Sequence, residues 1–374
     1  MPEPSPFPLT DREAELVEKA RVLAADFAAD AARVDRESVV PVEALTRLHD
    51  EGFDGAFLPR ALGGEGLSYQ AFGAIVRVVA AADPSVATIW VMHVGSGVGL
   101  ATLTADTLGS YYADAFLAGE RFANALSEPA SGNRFFNPQQ EAEPVEGGWV
   151  LDGAKRFVSG SELAQHLLVN VLVDGVPTFF GVEPDESVQI IPIWDTLGYR
   201  GTRSQLLSFN RTLLRADRRG RGIQPGDFNA VGAGLPGISL GVADAAFGAL
   251  AEHARSRQIL GAPLSHQQWV QFEGAEAHIR IEAAGALYRQ ALAESDLGLP
   301  SSLSSLDKAK FLANKTATEV AQLGVRVGGA SGFLSTSPIQ RHFRDAQAGQ
   351  LMAYSTEVLA GIIGKQVLGV EEGA

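Results

Sequence analysis

Three successive periodicities predict a multidomain α+β fold: an N-terminal helical domain, a central β-barrel and a C-terminal four-helix bundle. Apolar residues recur at helical spacing through the first third of the chain. Short β runs bounded by turn residues fill 122–214, and long Ala- and Gly-rich helical runs fill the remainder. The domains divide at 1–118, 119–225 and 226–374, and 374 residues exceed what one core usually serves.

Thr10 is placed to cap a long helix over 11–31, in which Leu16, Ala20, Val22, Leu23 and Phe27 recur at helical spacing. Helices follow at 42–51, 69–82 and 87–103, interrupted by Gly/Pro breaks at 59–66 and at Pro84. Strands are expected at 149–151, 157–158, 167–173, 178–182, 188–191 and 206–209. Gly147-Gly148, Asp152-Gly153 and Asp174-Gly175 serve as turns between them. An all-β insert of this size suits a small barrel or sandwich. Residues 215–225 read as a solvated, Arg-rich linker. Runs over 237–259, 267–295 and 305–327 have the length of bundle helices.

Composition narrows the function. The chain is 46% hydrophobic and 20% charged, with a formal net charge of -14. Nucleic acid and anionic membrane are therefore not expected partners, and the arginines of 211–221 lack aromatic interleaving. There is no cysteine, so disulfides and thiolate chemistry are excluded. The seven histidines are scattered, with His253 and His266 on separate helices, so no metal site is expected. The N-terminus lacks the basic and apolar regions of a signal peptide, and no window offers the roughly 18 uninterrupted apolar residues of a spanning helix. The expectation is a soluble, cytoplasmic protein.

Five motifs can carry chemistry, and each also has a plain structural reading. Asn124-Ala-Leu-Ser127-Glu128-Pro129-Ala-Ser-Gly132-Asn133 is a strand running into a Pro/Gly turn. It presents N–H groups and a hydroxyl to a ligand, or else Ser127 caps its own backbone. Lys155-Arg-Phe157-Val-Ser159-Gly160 sets an aromatic and a hydroxyl at a strand end, where they can hold a ring by its face and edge. The alternative is a hairpin with Phe157 in the barrel core. Trp194 to Ser204, with Arg200-Gly201-Thr202 inside it, is a ligand loop or a turn. Arg257, followed by Gly261 and Gln268, sits between two long helices. Its guanidinium can neutralise a pyrophosphate or complement the helix dipole. Gly328-Gly329, ahead of Arg344-Asp345, lets backbone approach a ligand or stops a helix.

The order and spacing of these motifs resemble the acyl-CoA dehydrogenase superfamily over nearly the whole chain. The resemblance implies the three-part fold, one FAD per subunit, a homotetramer or homodimer, and a small-molecule substrate. It also implies an electron-transfer partner or a flavin reductase. Ser127, Asn133, Phe157 and Ser159 match flavin contacts. Arg257 and Gln268 match residues that reach a partner subunit's FAD, with Leu260 where the family has Phe. Gly328 and Gly329 match the family's Gly-Gly, with Val325 in place of its Gln. Ser355 belongs to the C-terminal segment that matches the family's cofactor contacts.

The resemblance breaks at the base. Abstraction of an α-proton needs a carboxylate within hydrogen-bond reach. The family's usual Glu falls at Ala353, and the minority position near the first bundle helix falls at Val231, beside Gly232. Glu357, four residues past Ala353, shares its face if the helix continues. Otherwise it keeps the family's role of a polar neighbour of FAD. A second reading is a two-component flavin monooxygenase using reduced flavin and O2 on an aromatic or heterocyclic substrate. There, Asn124 and Ser159 would steady an oxygenated flavin and His93 would supply the missing histidine. A third reading is a scaffold without catalysis. Acyl-thioester dehydrogenation leads, because chain length, the Arg257 helix and the C-terminal segment match that branch without gaps.

Overall fold

The computed structural model describes residues 8–104, 106–132, 135–222, 227 and 229–370. Helix α1 (Asp11–Glu37) begins at the expected cap: the Thr10 hydroxyl accepts from the Glu13 N–H while the Glu13 carboxylate accepts from the Thr10 N–H. Its buried stripe of Leu16, Ala20, Leu23, Phe27, Ala31 and Val34 has the predicted spacing. Helices α2 (Val42–Asp50), α3 (Phe53–Phe57), α4 (Tyr69–Ala82), α5 (Pro84–Leu103) and α6 (Asp106–Leu117) complete the first helical unit. The short α3 and α6 were not anticipated.

The β unit holds β1 (Phe122–Ala125), β2 (Glu143–Val145), β3 (Gly148–Val158), β4 (His166–Val173), β5 (Val176–Val182), β6 (Val188–Ile191) and β7 (Gln205–Arg215). They form two sheets, ordered β1-β4-β5 and β2-β3-β7-β6, with β1 and β4 parallel and the other neighbours antiparallel. Their inner faces meet in a core of their own, built from residues such as Ala123, Leu151, Val169, Phe180, Leu207 and Phe209. The two sheets are joined by isolated bridges, Ser127 just past β1 to Arg156 of β3 and Glu141 just before β2 to Leu172 of β4, and Pro129 has no N–H with which to extend the first into a ladder. The expected turn at Asp152-Gly153 is corrected. β3 runs through it as one strand, with a register shift against β7 between Leu151 and Gly153, so the glycine marks a bulge.

The last unit contains α7 (Asn229–Ser256), a two-residue-strand hairpin of β8 (Gln258–Ile259) and β9 (Ala262–Pro263), and then α8 (Gln268–Asp296), α9 (Ser302–Gly332), α10 (Pro338–Leu351) and α11 (Thr356–Leu368). α7, α8, α9 and α10 pack around one another, and α11 lies against α9. The two helical units share one continuous apolar core, which joins Leu16 and Phe72 to Ile281 and Val320. Pro84–Leu103 and Ala230–Ser256 are long and apolar enough to cross a membrane, yet 89% and 67% of those windows are buried inside the protein. The linker after β7 is only partly solvated. Arg218 pairs with Glu183 at 3.1 Å and lies over the rings of Tyr111 and Tyr112.

Candidate active site

The motif residues of the β unit gather where it meets the helices. Alternation along β1 sends Ala123 and Ala125 into the β core and turns Phe122, Asn124 and Leu126 towards the helices. Asn124 Nδ2 donates to the Met92 carbonyl on α5 at 3.2 Å. Its buried Oδ1 has no partner among the described residues. α5 passes close to α7 here because residue 95 is glycine. A Cβ at Gly95 would lie 2.3 Å from Val231 Cγ2 and 3.8 Å from Asn124 Nδ2. The minority base position is thus filled by a packed valine.

The turn after β1 is anchored from beneath. Glu128 Oε1 accepts from Lys155 Nζ at 2.7 Å, and Oε2 accepts from the Gln139 N–H at 2.7 Å. Lys155 also donates to the Asn170 carbonyl at 2.5 Å and to Asn170 Oδ1 at 3.1 Å. Burial pushes the Lys155 ammonium down to about 8, with Glu128 opposing the shift. The two side chains are 0% and 1% exposed, so this pair is part of the β unit's interior.

At the end of β3, Phe157 adopts a left-handed φ of 57° in a second register shift and leaves the core, 54% exposed. The Arg156 guanidinium lies 4.8 Å from its ring centroid. The reading of Phe157 as a barrel-core residue is corrected: the bulge turns it outward. Two residues on, the buried Ser159 hydroxyl lies 2.8 Å from that of Ser204. Ser204 donates to Thr202 at 2.8 Å, and Thr202 donates to the Tyr199 carbonyl at 3.0 Å. The loop that carries them is stapled to α10. The Tyr199 N–H donates to Asp345 at 2.9 Å, while Arg344 donates to the Leu197 carbonyl and forks onto Asp35 of α1. Burial raises the Asp345 carboxyl to about 7. Arg344-Asp345 therefore ties all three units together behind the site. Sequence reasoning quoted Thr202 and Ser204 but missed their link to Ser159, which only the approach of β3 to this loop creates.

Two catalytic candidates are displaced by the geometry. His93 is 1% exposed. Its Nδ1 accepts from the Phe122 N–H at 3.1 Å and its Nε2 lies 3.2 Å from Asp54 Oδ2. Both ring nitrogens are committed, because Asp54 is a buried hub that also accepts from Trp90 Nε1 and His49 Nδ1. Glu357 does not share a helical face with Ala353. α10 stops at Leu351, and Ala353 and Tyr354 have left-handed φ of 38° and 60°. α11 starts afresh with Ser355 as its cap, accepting from the Val358 N–H. Glu357 is exposed and lines a surface cleft of about 360 Å3 with Lys315, Gln350 and Thr356. The turn itself is held by buried Lys310, whose Nζ donates to the carbonyls of Tyr354 (3.1 Å) and Gly349 (3.4 Å). The Tyr354 ring packs on Phe135, with centroids 4.9 Å apart.

The remaining cofactor candidates lie elsewhere. Arg257 leaves the end of α7, and Gln268 opens α8; both are exposed. Gly328 packs under Ile339, and Gly329 breaks α9 with φ 53° and ψ −144°, leaving its Cα face open. Asn133 lies outside the described residues. At 1.5 Å per residue, the helix from Val231 to Arg257 spans about 39 Å. Arg257 therefore lies at the opposite end of α7 from Val231.

Residues 10–120, 123–212 and 220–368 match the acyl-CoA dehydrogenase N-terminal, middle and C-terminal domains in turn. The chain belongs to the acyl-CoA dehydrogenase family. A 3-sulfinopropanoyl-CoA desulfinase of Variovorax paradoxus is 27% identical, with 98% of this chain and 96% of that protein covered. A Mycobacterium tuberculosis protein named "Probable acyl-CoA dehydrogenase FadE25" is 26% identical over 97% of each. The butyryl-CoA dehydrogenase of Megasphaera elsdenii has the same fold, with a TM-score of 0.91 at 22% identity over 97% of this chain and 100% of that one. Like its family, this protein is a flavin-dependent oxidoreductase. The monooxygenase reading is not favoured: these relatives are named for CoA thioesters, and the histidine it required is buried in Asp54's shell.

Proposed function

We propose that this protein binds FAD and carries out α,β-dehydrogenation of an acyl-CoA or related thioester, using a proton acceptor other than the usual glutamate. The observation that carries the reading is the exposed Phe157 ring beside the Ser159 hydroxyl, at the junction of three units that each match the family. An exposed flat ring, an edge hydroxyl and the orphaned Asn124 Oδ1 fit a planar heteroaromatic with a polar rim. Bound there, FAD would supply a two-electron acceptor for the β-hydrogen. Phe157 would cover a ring face, and Ser127, Ser159 and Ser355 would meet polar atoms. Arg257, Gln268 and the open backbone at Gly328-Gly329 would hold the pyrophosphate end of a partner subunit's cofactor.

The position of Arg257 at the far end of α7, about 39 Å along the helix from Val231, supports assembly as a homodimer or homotetramer. So does the apolar surface near Arg257, where Leu260, Trp269 and Phe272 are 102%, 44% and 64% exposed. The α-proton passes to water or to a group on the substrate, since Ala353 takes none and Glu357, on the freshly started α11, does not share a helical face with it. The two electrons then leave to an electron-transfer partner in the cytoplasm. The test is the visible spectrum of the purified protein under anaerobic conditions during titration with a panel of acyl-CoAs. Bleaching of a bound flavin is the expected result; a flavin that no thioester bleaches would refute the reaction.

A further inference from the structure

A carbonyl has no proton to give, so at 3.0 Å the Thr202 hydroxyl must donate to the Tyr199 oxygen. Each hydroxyl has one proton. Thr202 therefore accepts at its other contact, and Ser204 spends its proton on Thr202 at 2.8 Å. Ser159 and Ser204 lie 2.8 Å apart, and only the Ser159 proton remains to fill that gap. If Ser159 aimed it elsewhere, two lone pairs would face each other across a hydrogen-bond distance in a buried site. Ser159, Ser204 and Thr202 are 8%, 3% and 1% exposed. The far end is fixed as well: the Tyr199 carbonyl also accepts from Trp194 Nε1 and from the Thr202 N–H, and the Tyr199 N–H is held by Asp345.

We propose that Thr202 and Ser204 form a one-way hydroxyl relay that commits the Ser159 proton to the protein, so that Ser159 offers a bound flavin a lone pair and favours its reduced form. The inference rests on the reading that FAD lies against Phe157 and Ser159. An oxidised flavin presents acceptors along its central ring edge, and reduction adds an N–H there. A lone pair opposes the first and pairs with the second. Ser159 touches the cofactor; Ser204 and Thr202 are positioning residues.

The test is the two-electron reduction potential of bound FAD, measured against a reference dye together with flavin stoichiometry. It compares wild type, Ser159→Ala, Ser204→Ala and Ser204→Thr. Ser204→Ala frees the Ser159 proton to stabilise the oxidised ring. The expected shift is about tenfold towards the oxidised form, or about 30 mV more negative for a two-electron couple. Ser159→Ala should shift the same way by less, and Ser204→Thr should keep the wild-type value. A potential that rises in Ser159→Ala would show an ordinary donor to the oxidised ring and overturn the relay. So would an unchanged potential in Ser204→Ala with flavin fully bound. Should Ser204→Ala lose its flavin, the sign of the Ser159→Ala shift alone decides. A wild type that binds no FAD would sink the functional reading along with the relay.

Discussion

Lys155→Met isolates the buried pair beneath the Ser127 turn. Methionine fills a similar volume, so the change removes the charge and three hydrogen bonds while leaving packing nearly intact. Glu128 keeps the Gln139 N–H but loses its counter-ion. Breaking a buried pair from one side costs roughly 3–5 kcal/mol, because the remaining charge is uncompensated. Unfolding entropy of about 2.1 cal/mol/K per residue gives about 0.8 kcal/mol/K for this chain, so Tm should fall by about 4–6 °C. Adding Glu128→Gln should recover about 1–4 kcal/mol at pH 7. Calorimetric melts of both variants test this. A Lys155→Met loss that is below about 1 kcal/mol, or that is unmoved by the second substitution, would mean that no ion pair stands there.

Ala353→Glu restores a carboxylate at the family's usual base position at no new backbone cost, since alanine already carries a Cβ at φ 38°. Anaerobic flavin bleaching by an acyl-CoA should quicken by about 100-fold or more; an unchanged rate would mean the turn does not face the substrate's α-carbon. Arg257→Ala should lower the FAD content of the purified protein by removing a pyrophosphate contact, and full flavin occupancy would argue against that role. His49 donates to Asp54, and that hydrogen bond raises its pKa against the effect of burial. Its stabilisation is complete below about pH 6.5 and is lost as pH rises through the raised folded value. His49→Gln should therefore flatten the fall in Tm between about pH 6.5 and 9, and parallel curves for the two proteins would refute the pairing.

Much of the fold was legible because periodicity is local. Thr10 and Glu13 make their capping box whatever lies beyond, and the apolar spacings of α1, α4 and α9 already specify a buried face. The order of units was legible for the same reason, whereas the candidate cofactor motifs and the empty base position at Ala353 were read from the resemblance to the family. The sequence alone does not show which way a side chain leaves a bulge. Phe157 reads equally as a ligand-facing or a core aromatic until the register shift of β3 against β7 turns it out. Nor does it show that the helix between Ala353 and Glu357 is broken, because the two left-handed residues are not glycines and carry no local signal. His93 could be placed only with Asp54, which is 39 residues away. The relay from Ser159 to Tyr199 spans two segments that only sheet pairing brings together. Local chemistry set the elements and their faces. The direction of each functional proton depends on partners distant in the chain, and tertiary packing alone chose them.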